Sequence, residues 1–245
     1  MKKHLFFGKG NAKLSRDIAT FSLPAGYSCP GAKDCFACFD RTANKLIDGK
    51  DTKFRCFAAS QEALFPSVRE SRWNNFEVLR WKDKYDILGI LLENIGRIKK
   101  PIIRWHVSGD FFSQSYFDAF LMAVSYFPDK IFYAYTKSLP YWVARLDRIP
   151  SNLKLVASIG GQFDDYIKYY GLRYCKVLFS TYEARQLGLP IDHDDTHAYR
   201  GNKSFGVLLH GTQKAGTKAS KRWIKMGKRH GTGKSGYTSK IKNKW

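Results

Sequence analysis

From Pro101 to Leu209 the chain repeats one short phrase: a few apolar, β-favouring residues, a polar break, then apolar residues at helical spacing. Residues 102–107, 131–135, 153–158, 176–180 and 205–209 read as strands, and residues 18–23 add one before them. Residues 116–126, 141–146 and 164–170 read as helices between them, with Pro140 placed to open the second. Strands separated by helical or connecting segments imply parallel pairing through right-handed crossovers. The expectation is an α/β fold, a partial (β/α)6-type barrel with a cysteine loop after its first strand. Periodicity does not show closure, so an open doubly wound sheet stays as the alternative. Residues 60–98 carry helical spacing for two or three helices, with breaks expected at Pro66 and at residues 73–75.

In such folds chemistry gathers where strands end and loops converge. The polar residues fall there: His106, Ser108 and Asp110, then Thr136 and Lys137, Ser158, Ser180 and Thr181, and His210. His106 and Asp110 lie four apart, so a strand reaching that far would turn both to one face. Together with Lys137, suited to a phosphate or a cofactor carboxylate, they are the candidate catalytic residues. Residues 193–197, His-Asp-Asp-Thr-His, follow Pro190 and read as a polar turn.

No leader-like start and no long apolar run are visible, so the expected compartment is the cytoplasm, where crowded thiols read as ligands before disulfides. Cys29, Cys35 and Cys38 lie within ten residues, and Cys56 follows after a gap. One loop carrying three thiols, closed by a fourth from another element, suits a [4Fe-4S] cluster. Zinc stays open, since four thiolates suit it, although its usual second cysteine pair is absent. Cys175 reads as an ordinary core residue.

Two resemblances rest on these motifs. Ser22-Leu23-Pro24-Ala25-Gly26, Cys29-Pro30-Gly31-Ala32, Cys35, Cys38 and Arg55-Cys56-Phe57-Ala58-Ala59 form one group. With residues 105–112 (WHVSGDFF) and 135–138 (YTKS), they resemble the phage gene product 88 family across most of the chain up to about Gly211. That resemblance implies a phage or prophage origin, hence the cytoplasm of an infected or lysogenic host cell. A cysteine loop after strand one and Ser108-Gly109-Asp110 after strand two are also similar to the radical S-adenosylmethionine superfamily. This second resemblance implies that Ser108, Gly109 and Asp110 hold the methionine amino group of S-adenosylmethionine. It implies too that Cys29, Cys35 and Cys38 bind three irons and leave the fourth open. If Cys56 takes that iron, the cluster is closed and serves structure, sensing or electron transfer.

The balance of 42 Lys+Arg against 21 Asp+Glu leaves a net charge of +21, a field that gathers polyanions. It peaks at the end: residues 214–245 hold 11 Lys+Arg and no Asp or Glu. The expected organisation is one domain over residues 1–213 and a basic extension over 214–245. Lys218, Lys221, Arg222, Lys225, Lys228 and Arg229 are its candidate nucleic-acid contacts, with Trp223, His230, Tyr237 and Trp245 interleaving ring faces. Nucleic acid, DNA or RNA, is the expected partner. Hydrolase classes drop out, because no nucleophile elbow, phosphate-cradling glycine loop or HExxH is present. Three classes remain: a radical-enzyme-like iron-sulfur protein, a non-enzymatic nucleic-acid binder with a structural or redox-sensing cluster, and a zinc-stabilised binding module.

Overall fold

The computed structural model describes residues 4–10 and 13–230, with the side chains of residues 226–230 not included. Tyr237 and Trp245, and the side chains of Lys228, Arg229 and His230, lie outside the described set. The chain runs β1 (Phe7–Gly8), β2 (Ile18–Phe21), β3 (Ala37–Asp40), β4 (Lys45–Asp48), α1 (Phe57–Leu64), α2 (Pro66–Leu79) and α3 (Lys84–Gly96). It continues with β5 (Ile102–Trp105), α4 (Gln114–Ser125), β6 (Ile131–Thr136), α5 (Leu139–Val143), a 3-10 turn at Leu146–Arg148 and β7 (Leu153–Ser158). Last come α6 (Asp165–Tyr169), β8 (Tyr174–Leu178), α7 (Thr181–Gln186), α8 (Thr196–Tyr199), β9 (Phe205–Leu208) and α9 (Lys218–His230).

Seven strands form one sheet in the order β1-β2-β5-β6-β7-β8-β9. Every pairing from β2 to β9 is parallel, and β1 is an antiparallel edge. The order never reverses, which removes the doubly wound alternative, and among the described residues β1 and β9 remain its two edges. The expected β-α alternation is present; closure into a barrel is not part of this pairing.

Side-chain alternation gives the sheet two different faces. One carries Ala19, Phe21, Ile103, Trp105, Phe132 and Leu155, and packs against Leu91 and Ile95 of α3 and Phe117, Phe120 and Val124 of α4. At its centre Trp105 lies between Phe21, at 4.2 Å, and Phe120, at 4.7 Å between ring centroids. Serine and aspartate caps start the two covering helices: Asp83 accepts from the Tyr85 and Asp86 amides, and Ser113 from that of Tyr116. The other face carries Ile18, Ile102, Tyr133, Val156, Cys175 and Phe205, closed at one end by Leu14 and by Ala198 and Tyr199 of α8.

Three departures from the sequence reading have local causes. Residues 73–75 do not break a helix but sit inside α2. Asn75 there accepts from the Phe6 amide at 2.7 Å and donates to the Phe6 and Ser22 carbonyls, so it latches the edge strand. The cysteine region contains a hairpin, β3 paired antiparallel with β4, where only a loop is expected. The basic extension is not separate from the domain at its start: Ala219, buried, and Trp223 of α9 join a cluster with Phe54, Phe179 and Leu209. Among the described residues no helix is long and apolar enough to cross a membrane.

Under the cysteine region lies a buried ion pair. Glu62 of α1, fully buried, meets Arg72 of α2 at 2.9 Å and also accepts from the Ala25 amide. Burial pushes the Glu62 carboxyl up despite Arg72. Arg72→Met would strand that carboxylate, and loss of one partner of a buried pair costs about 3–5 kcal/mol. Urea denaturation near neutral pH should show a loss of that order, and an unchanged midpoint would rule the pair out as a support.

Candidate functional site

Between β2 and α1 the chain makes a long excursion that lies across the strand ends like a cap. The Leu23 amide donates to the Ser108 carbonyl at 2.9 Å, extending the β2-β5 ladder past the strand. Gly109, at φ 79°, lets the chains meet: a Cβ there would come 2.5 Å from Leu23 Cβ and from Ser28 Oγ. Gly31 packs so closely on the Lys137 carbonyl that any side chain would collide with it, and its own carbonyl accepts from the Gln162 amide at 2.9 Å. The Asp34 amide donates to the Gly160 carbonyl at 2.9 Å. On the far side Gln213 grips the backbone of Arg55, accepting at 2.8 Å and donating at 3.1 Å, and the Phe57 ring lies 4.7 Å from that of His210.

Cap and sheet enclose a cavity of about 630 Å3 on the sheet face opposite α3 and α4. Cys29, Cys35 and Cys56 line it. The Cys29 thiol is raised well above its ordinary value, first by burial, then by the charges of Asp110, Cys56 and Cys35. Burial pushes Cys56 up to about 11, with Cys35 adding to the rise, while the Ala58 and Ala59 amides at the start of α1 pull the other way. No ordinary cap hydrogen bond is made there. Cys38 is elsewhere: it is buried in β3 beneath Gly26, and burial, then Asp40, raise its thiol, which bonds to Tyr27. Three of the four expected ligand cysteines therefore share the cavity. Among the described residues no group of three or more His, Cys, Asp and Glu side chains is gathered as a metal site.

Ser108, Gly109, Asp110, His106 and Lys137 also line the cavity, in different states. Burial raises the Asp110 carboxyl, and hydrogen bonds from Thr136 Oγ1 at 2.6 Å and from the Lys137 and Phe111 amides oppose that rise. Ser108 Oγ is 3.5 Å from Glu62. Lys137 Nζ donates to the Ser158 hydroxyl and carbonyl and to the Ile159 carbonyl at 2.5–3.2 Å, which engages all three protons in bracing the β7 end. His106 and Asp110 do not share a strand face. β5 ends at Trp105, and His106 takes φ 60°, turning its ring among Phe21, Phe111 and Tyr116. The Tyr116 hydroxyl, which accepts from Trp105 Nε1, lies 2.9 Å from His106 Nε2, and the other ring nitrogen has no partner among the described residues.

The cavity floor is a buried charge network. Asp195 takes Arg104 at 2.5 Å, Lys13 at 2.7 Å and the Tyr133 hydroxyl at 3.1 Å. Burial pushes its carboxyl up, and Arg104, then Lys13, bring it below the ordinary value. Residues 193–195 make the expected polar turn, and its Asp195, buried and ion-paired, anchors α8 to the sheet. The available signal was Arg104, a charge on the inward register of an otherwise apolar strand. Cys175 is a core residue as expected, yet it also lines the cavity. On α9, Lys218, Lys221, Arg222 and Lys225 are exposed.

A cysteine-bearing cap over the strand ends of a singly wound parallel sheet defines an α/β cavity protein. The family model described as Gene product 88 matches residues 5–227, and the chain belongs to that phage family. Neither the curated proteins nor the solved structures contain a match.

His106 sets a pH dependence. Burial lowers its pKa from the ordinary 6.5 to about 3. As pH falls the unfolded chain takes up this proton before the folded one, so the stabilisation is complete above pH 6.5 and is lost progressively toward pH 3. Within that window the loss is roughly 1.4 kcal/mol per pH unit for this group. Urea denaturation at neutral and mildly acid pH should show a shallower pH slope in His106→Gln than in the parent chain. Equal slopes would mean the ring is not held neutral.

Proposed function

We propose that this chain is an iron-sulfur protein of the radical S-adenosylmethionine-like type. In this reading Cys29, Cys35 and Cys56 hold a cluster at the cavity wall and leave one iron without a cysteine. The observation that carries the reading is the division of the thiols, three on one cavity and Cys38 turned away from it. The donor set fits: all three would-be ligands are sulfur, and they line one cavity rather than being gathered on a single point, which suits a multi-iron cluster better than a single ion. Burial raises the Cys29 and Cys56 thiols, so a cationic centre is what would ionise them. The parallel sheet, with helices on one face and the cavity on the other, supports the partial-barrel comparison.

An open-iron cluster held by these thiols would, once reduced by an external electron donor, supply one electron to bound S-adenosylmethionine. The protein's own part is binding and orientation. The Ser108-Gly109-Asp110 turn lies beside Cys29, whose thiol feels the Asp110 charge, and so stands where the methionine amino group is to be received. Lys137 and His106 act in this reading as positioning residues, one bracing β7 and the other filling the turn behind the cavity. The substrate side is nucleic acid, on the chain's charge of +21, in the cytoplasm of an infected or lysogenic host cell.

Anaerobically purified protein should contain iron and sulfide in equal amounts. Replacing Cys29, Cys35 or Cys56 by Ala should each remove the cluster, while Cys38→Ala should keep most of the iron. The electron paramagnetic resonance of the reduced cluster should shift on adding S-adenosylmethionine. Zinc without iron, or a cluster lost with Cys38 and kept without Cys56, would overturn the assignment. A cluster with a signal indifferent to S-adenosylmethionine would replace the enzyme by a structural or redox-sensing role.

A further inference from the structure

We infer that the cavity receives one unpaired nucleotide of a nucleic-acid strand whose backbone is held at the rim by α9. The inference rests on the proposed reading of the cavity as the site, and names the class of substrate for it. In α9, Ala219, Ser220 and Trp223 face inward, the first two buried, while Lys218, Lys221, Arg222 and Lys225 are exposed. At 3.6 residues per turn these two sets fall on opposite sides of the helix, so the cations form one continuous stripe.

The helix that carries the stripe is seated on the cavity's lining. Ala219 and Trp223 share their apolar cluster with Phe54, Val177 and Leu209, each of which also lines the cavity. Lys33 of the cysteine loop and Lys50 beyond β4 add exposed cations on the cap. A polyanion lying along α9 therefore follows a helix seated on residues that line the cavity, and each phosphate it contacts releases condensed counterions.

Inside, the wall suits a flat, partly polar ring. The Phe57 and His210 rings lie 4.7 Å apart and Phe54 adds a third ring to the lining, and bases stack on such faces whatever their sequence. Deeper, the Tyr135 hydroxyl has no hydrogen-bond partner among the described residues, which leaves it for a base edge. The cap covers the strand ends, so a paired base inside a duplex cannot reach these groups; a flipped or single-stranded one can.

The test uses the full chain and a short single-stranded oligonucleotide carrying a fluorescent aminopurine. Anisotropy should show binding tighter to the single strand than to its duplex. Neutralising Lys218, Lys221, Arg222 and Lys225 to Ala should weaken it about tenfold or more, with the salt slope shallower by about 0.7 for each phosphate left unneutralised. Val207→Trp, which fills the cavity, should abolish the aminopurine response while keeping most of the affinity, and the milder Val177→Phe serves if the first does not fold. Unchanged affinity and slope in the α9 variant, or an aminopurine signal indifferent to both cavity variants, overturns the inference. Iron content on the same samples separates the outcomes: iron without strand binding sinks this inference alone, and strand binding without iron sinks the cluster reading.

Discussion

Asp110 is a buried carboxylate whose lone pairs are taken up by the protein itself. It accepts from Thr136 and Lys137 at the end of β6 and from Phe111 in its own turn, while its amide donates to the Ser28 carbonyl at 3.2 Å. One residue thereby ties the cysteine loop, the turn after β5 and the end of β6 into a single unit. The glycines at 31 and 109 permit that closeness, and the Lys137 ammonium extends the tie to β7. The cavity has a defined roof because this knot holds it; a surface loop merely draped over the strand ends would carry no fixed thiols. A buried acid so fully satisfied is a structural anchor first, whatever ligand its turn also meets.

The roof creates a chemical tension of its own. Cys29, Cys56 and the Asp110 carboxyl are drawn out of water into one wall, where the negative charge of Asp110 makes a Cys29 thiolate harder to form. Arg72 is paired with Glu62 below the cap, with its charge easing the rise at Cys56, and Arg55 is paired with Asp48 at 2.5 Å. The floor, by contrast, sets Lys13 and Arg104 around one carboxylate, Asp195. The cavity is polarised from a sulfur-lined top to a cation-rich base.

The alternation of strands and helices was legible because both faces of each parallel strand are buried: β7 falls at the expected residues and β9 within one. The cysteines stood out by spacing, and their split did not, since Cys38 turns away only because residues 37–48 pair as a hairpin. Asn75 read as a breaker, because its role depends on Phe6, far off in sequence. Asp195 hid for the same reason; its partners Lys13, Arg104 and Tyr133 come from three other parts of the chain. His106 failed the strand-face reading through a positive φ that no pattern announces.

The clasp between Arg55 and Gln213 joins residues 158 positions apart. Cys29 and Cys35 belong to a loop seated largely on the middle strands, but the residue before Cys56 is held from just beyond β9. The native thiol set is therefore completed only after the chain has been synthesised through Gln213. Until then the nascent protein carries an unfinished cysteine trio, a high-contact-order arrangement that delays capture of whatever it binds until folding is almost done.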